Sequence, residues 1–201
     1  MKKTLLSLVL VSLIGFMPTD KTLTKQERDF AIQYMEQTRD TLLSDVKGLS
    51  AAQLNFKTDS TRWSVAQCVE HIALAEGLFS MIVQTSLQSP ADPSKRDSIK
   101  YTDQQVINFL TDRSKKFQAP EMLKPDGKLN SYQAALDSFV ARRNRNINFI
   151  KTTQADLRDH YWVNPFGIID DYETVLFMAA HSRRHTLQLE EVKASPGFPK
   201  N

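Results

Sequence analysis

Three of the four histidines in this 201-residue chain, His71, His181 and His185, fall on the apolar sides of two segments with helical periodicity. His181 and His185 are spaced H-x-x-x-H, which places their Cβ atoms roughly 6 Å apart on one helix face, so both rings can turn toward one ion. Three neutral imidazoles from two elements can hold a divalent ion and leave a coordination position open, the arrangement of a working site rather than a closed structural one. The same spacing also suits two histidines that are hydrogen-bonded separately. A metal site therefore needs a third ligand from another element, and His71 is the candidate. Imidazole suits zinc, nickel, iron and copper alike; zinc is expected on availability, with nickel as the alternative.

Other polar residues interrupt the apolar stripes. Arg143 sits at the centre of the stripe formed by Leu136, Phe139, Val140, Ile147 and Ile150. A guanidinium there needs an anion, either a structural partner such as Glu76 or a carboxylate or phosphate on a substrate, which makes Arg143 a candidate substrate anchor. Gln188 lies one turn beyond His185 and can orient a ligand or a bound water. A general base is harder to find. Ser182 follows His181, so the glutamate of an H-E-x-x-H site is absent. Glu76 stands about 140° around its helix from His71, while Glu70 and Glu190 project away from their stripes. Trp63 either shapes the site entrance or packs the turn before its helix, and His160 lies outside the group.

These residues must be positioned by helices. Val65, Cys68, Ile72, Ala75, Phe79 and Ile82 repeat at three and four from Ser64 to about Gln88, with Ser64 and Gln67 as a capping box. Val175, Met178, Ser182, His185, Leu189 and Val192 form a second stripe from about Asp171 to Ala194, capped by Asp170 and Glu173. Two more helices are predicted, from about Lys25 to Gly48 and from about Tyr132 to Thr152. No run of alternating β-branched residues predicts a strand. The expected fold is all-α, a four-helix bundle with a long polar connection, Ser89 to Asn130, between the second and third long helices. That connection carries four prolines and a short helix near Thr102 to Lys116, and its length frees neighbouring helices from strict antiparallel order.

Met1-Lys2-Lys3 and the apolar run Thr4 to Phe16 have the pattern of an export signal, too short for a comfortable membrane span of about 20 residues. The expected organisation is residues 1–20 as export signal or N-terminal anchor and 21–201 as one domain, exported to a periplasmic or secreted location, with membrane contact only through an uncleaved N-terminal segment. The formal charge of +3 includes Lys2 and Lys3, and the remaining basic residues are interspersed with acids, so no nucleic acid is expected as partner. The single cysteine, Cys68, excludes an intramolecular disulfide and falls in an apolar stripe, where it reads as packing.

The block W-S-V-A-Q-C-V-E-H-I-A-L-A-E, Trp63 to Glu76, and the late block N-P-F-G-I-I-D-D-Y-E-T-V-L-F-M-A-A-H-S-R-R-H-T-L-Q-L, Asn164 to Leu189, resemble the two motifs of the DinB/YfiT-like superfamily. The resemblance covers about residues 25 to 194. It implies a four-helix bundle whose three motif histidines bind a divalent metal, and these correspond to His71, His181 and His185. The resemblance does not choose between hydrolytic and thiol-dependent chemistry; a metal-dependent enzyme acting on a small-molecule substrate is expected, foremost a hydrolase, because the expected export weighs against low-molecular-weight thiols, which are kept mainly in the reducing cytoplasm. A thiol-dependent transferase or a non-catalytic metal- or small-molecule-binding protein on the same fold are the alternatives. Bundles of this kind often pair through an exposed helical face, so a homodimer is expected as one possible assembly.

Overall fold

The computed structural model describes residues 22–200; the expected export signal or anchor at 1–20 lies outside them. Helix starts are written into the sequence as capping boxes, in which a side-chain oxygen accepts from the backbone three residues on and the Glu or Gln there reaches back. Such boxes open α1 (Lys25–Val46), α2 (Ala51–Asn55), α3 (Val65–Ser86) and α4 (Asp103–Thr111). Ser131 caps α5 (Tyr132–Thr152) with its side chain, and an Asp170–Glu173 box opens α6 (Asp171–Lys193). The four long helices follow their expected boundaries to within two residues.

The helices do not alternate up and down. Tyr172 Oη donates to the Glu27 carbonyl at 2.8 Å at one end and Lys193 bonds Asp45 at the other, so α1 and α6 run the same way. Arg142 reaches the Ala73 carbonyl and Ser80 donates to Asn146, so α3 and α5 also run in parallel. Between these pairs the sense is opposite: Arg28 bonds the carbonyls of Ile150 and Thr153, and Ser86 meets Asp171. Around the bundle the order is α1, α5, α3, α6, with α1 facing α3 across the diagonal. A parallel α3 and α5 oblige the chain to return along the full length of α3, about 33 Å for 22 residues. Residues 87–131 make that return and place α4 against α6 on the way.

The sequence predicted no strand, yet an antiparallel hairpin joins α5 to α6. Its strands, β1 (Tyr161–Asn164) and β2 (Gly167–Asp170), pair Tyr161 with Asp170 and Asn164 with Gly167. It packs Trp162 and Ile169 against the bundle. α3 is apolar and long enough to cross a membrane by composition, but 56% of that stretch is buried within the bundle, as a core helix requires.

The core is in two parts. One apolar cluster, around Met35, Phe79, Ile147, Leu176 and Met178, fills the hairpin end; the other, around Leu42, Val69, Ile72, Phe139 and Leu189, fills the opposite end. Between them lies a polar layer whose centre is Arg143, fully buried, paired with the equally buried Glu76 through two bonds of 2.7 Å. Removing one partner strands the other as an uncompensated buried charge, an effect worth roughly 3–5 kcal/mol, whereas an apolar pair of similar volume can be neutral. Arg143→Ala is therefore expected to lower the urea midpoint strongly, with Arg143→Met/Glu76→Leu recovering most of the loss; equal destabilisation by both variants would contradict this account.

At the start of α6, burial and the Asp170 charge push the Glu173 carboxyl up from 4.5 to about 8. A folded-state value above the unfolded one gives a contribution fully present below about pH 4.5 and lost as pH rises through 8. Glu173→Gln retains an oxygen for the capping bond to the Asp170 amide. Thermal melts of this variant between pH 5 and 9 are expected to show a flatter decline than the wild type; parallel profiles would refute the assignment.

Candidate metal centre

α3 delivers His71 from its second turn, and α6, running antiparallel to it, presents His181 and His185 from its middle. The three rings converge, with centroids 4.3–5.0 Å apart, and one ligand nitrogen from each lies within 4.8 Å of the others. His71 and His185 are buried while His181 keeps partial exposure. No carboxylate or thiolate belongs to this group among the described residues.

The outer nitrogens fix which atoms face inward. His71 Nδ1–H donates to the Leu123 carbonyl at 2.7 Å, and His185 Nδ1–H donates to Gln188 Oε1 at 2.9 Å. Each bond assigns the tautomer and leaves Nε2 with a free lone pair, the orientation that outer contacts impose on metal-ligating histidines. His71 Nε2 stands 3.2 Å from His181 Nε2. Two nitrogens each at 2.0–2.1 Å from a tetrahedral zinc would be about 3.3 Å apart, so the His71–His181 pair already stands at the spacing of two ligands on one divalent ion.

Burial favours the neutral rings. It pulls His71 down to about 4 despite the Leu123 bond, and burial reinforced by neighbouring positive charge takes His181 and His185 well below their ordinary value. Neutral imidazole is the ligating form. Trp63 lies against His71 and His185 at 4.7 and 5.7 Å, and Phe79 meets His181 edge-on at 5.4 Å. Trp63 thus walls the site rather than only packing its turn.

The expectation of Arg143 as a substrate anchor is corrected. Its five N–H donors are all engaged: two with Glu76, and one each with the Met35 carbonyl, Thr38 Oγ1 and Ser182 Oγ. A fully buried group with no donor left has nothing to offer a ligand. The same pair explains why Glu76 is no general base. Cys68 is packed in the core, where burial pushes its thiol up to about 12. His160 bonds the carbonyls of Asp156 and Ser89 and joins the segment before the hairpin to the end of α3. The one partner missed by sequence reasoning is the Leu123 carbonyl, a backbone atom in the long connection that no residue type signals.

Similarity to known proteins follows the same outline. Residues 34–189 match the model of the DinB superfamily. An uncharacterized protein, YuaE of Bacillus subtilis, is 22% identical over 151 residues, covering 75% of this chain and 89% of its own. Among solved structures, YfiT of Bacillus subtilis superposes with a TM-score of 0.57 at 18% identity, covering 90% of this chain and 93% of its own. That protein is described as a probable metal-dependent hydrolase with an unusual four-helix bundle topology, and the likeness shows the fold.

Trp63 provides a reporter once Trp162, the only other tryptophan, is replaced. In a Trp162→Phe background, copper(II) is expected to quench Trp63 fluorescence saturably, and Gln188→Ala to weaken the apparent affinity by roughly 10- to 100-fold. An unchanged affinity would deprive the Gln188 contact of a role at the centre.

Proposed function

Because the chain belongs to the DinB superfamily, we propose that it is a metal-dependent enzyme, a hydrolase whose single divalent ion is held by His71, His181 and His185. The observation that carries this reading is the convergence of three buried or half-buried imidazoles, two with their Nδ1 atoms tied outward. The description of YfiT as a probable metal-dependent hydrolase supports the reaction class. Zinc is the expected ion and nickel the alternative.

A divalent ion held there would supply Lewis acidity and bring the pKa of a bound water toward neutrality. The chain's own residues hold and aim the ligands. Leu123 and Gln188 set the ring orientations of His71 and His185, Trp63 shields the buried side from solvent, and the exposed edge of His181 marks the side on which a small-molecule substrate enters. A second reading, a non-catalytic metal- or small-molecule-binding protein, is favoured by one observation: the buried acid of α3, Glu76, is consumed by Arg143. Lys2, Lys3 and the apolar run that follows support export as the cellular context.

Elemental analysis of protein purified without a polyhistidine tag is expected to find about one ion per chain, as a single set of three protein ligands with one open position holds, and none in His181→Ala/His185→Ala. The loaded protein is expected to hydrolyse activated esters or amides and the double variant to fall to background. A wild-type protein that takes up no ion after incubation with zinc or nickel would refute the metal centre. An ion without hydrolysis would favour the binding reading.

A further inference from the structure

On the outside of the bundle the parallel helices α3 and α5 leave an open groove of about 460 Å³, within the roughly 300–1,000 Å³ of small-molecule sites. Leu74, Leu78 and Met81 line its α3 side, and Arg142 and Arg145 its α5 side. The three apolar residues recur at four and three, so they form one strip roughly 10 Å long. Leu74 and Leu78 are half-buried against the core, while Met81 is 58% exposed. Arg142 and Arg145 stand one turn apart on α5 and share a face.

Arg142 owes its place to a missing side chain on α3. Its Nη1 donates to the Ala73 carbonyl at 2.6 Å, which lays the guanidinium across Gly77. A Cβ at position 77 would stand 2.5 Å from that Nη1 and 3.0 Å from Cζ. Glycine inside a helix weakens it relative to alanine, and Gly77 has no left-handed φ to serve; what it provides is room for the arginine. Among the described residues neither guanidinium is paired with a carboxylate, and Arg145 has no hydrogen-bond partner. No acid lines the groove, and Ser80, its one hydroxyl, donates to Asn146 at 2.9 Å. Glu70, one turn before Leu74, is engaged by the Gly127 and Leu129 amides, and Asp137 of α5 by Gln133.

Two unpaired guanidinium groups beside an apolar strip complement a ligand with an anionic head and an apolar tail. A second copy of the chain presenting this same face would set arginine against arginine, which like-charge repulsion opposes. We propose that the groove binds a small amphiphilic anion, a carboxylate on an alkyl chain, with its head on Arg142 and Arg145 and its chain along Leu74, Leu78 and Met81. The groove shares no residue with the histidine group, so this assignment is independent of the metal-dependent reading.

Calorimetric titration of the full chain with decanoate is expected to show one saturable site, bound about threefold or more tighter than octanoate because more apolar surface is covered. Arg145→Gln is expected to weaken it at least about tenfold. Gly77→Ala is expected to do likewise at a melting temperature no lower than the wild type's, since its methyl displaces only the far end of a flexible side chain. In NMR spectra of methyl-labelled methionine, the Met81 signal is expected to move on titration and that of buried Met35 to stay. His181→Ala/His185→Ala is expected to bind decanoate as the wild type does, whether or not the wild type holds an ion. Absence of saturable decanoate binding, wild-type affinity in folded Arg145→Gln, or a Met81 signal that stays fixed would each overturn the assignment. Binding to phosphatidylglycerol vesicles without binding of free decanoate would overturn it in favour of a membrane surface.

Discussion

The buried Arg143–Glu76 pair is the constraint around which the bundle is arranged. A guanidinium and a carboxylate without solvent exposure must each satisfy every hydrogen-bonding group from the protein, and here that demand recruits all four long helices. α1 gives the Met35 carbonyl and Thr38, α3 gives Glu76, α5 gives Arg143 and Asn146, and α6 gives Ser182. Each contribution fixes the height and rotation of its helix. An apolar core at this level would tolerate small slides of one helix past another; a five-donor group with five assigned acceptors does not.

That fixed layer is also what aligns the histidines. Ser182 follows His181 directly, and Glu76 follows His71 by five residues on the opposite side of α3, so the contacts that lock α3 to α6 inside the core lock the two histidine-bearing faces together beside it. The parallel course of α3 and α5 then has a second consequence. It requires the long return connection, and that connection supplies what the helices lack: the Leu123 carbonyl on His71, and α4 with its aromatic residues alongside α6. Gln67, Glu70 and His71, on one face of α3, all bind this connection at residues 123–129, so a stretch without apolar periodicity is held firmly at the site.

What could be read in the sequence follows from how local each determinant is. Helix starts, boundaries and the faces of His71, His181 and His185 depend on spacings of three and four, and the capping boxes are contained within four residues. Arg143 was conspicuous as a charge at the centre of an apolar stripe, but whether it faced Glu76 or a ligand depended on the relative rotation of α3 and α5, which no local pattern encodes. The hairpin was hidden for a different reason. Its strands are four residues each, and its turn, Pro165-Phe166, lacks the Asn-Gly or Asp-Gly signature of tight hairpins; its register is set by packing Trp162 and Ile169 on helices distant in sequence. The up-down-down-up order was likewise only permitted by the length of the connection, not dictated by it.

The two buried polar assemblies also explain each other electrostatically. Three neutral imidazoles bring no negative charge, so a divalent ion among them would keep its full formal charge and favour an anion at its open position, a requirement common to hydrolytic and thiolate chemistry. Arg143 contributes to keeping His181 neutral, and an unpaired guanidinium in the adjacent layer would oppose a cation there. Glu76 cancels it at 2.7 Å. The carboxylate that is missing from the histidine group is therefore the one that would let a dication and an arginine occupy neighbouring levels of one core, and the aromatic walls of Trp63 and Phe79 would strengthen the field of such an ion.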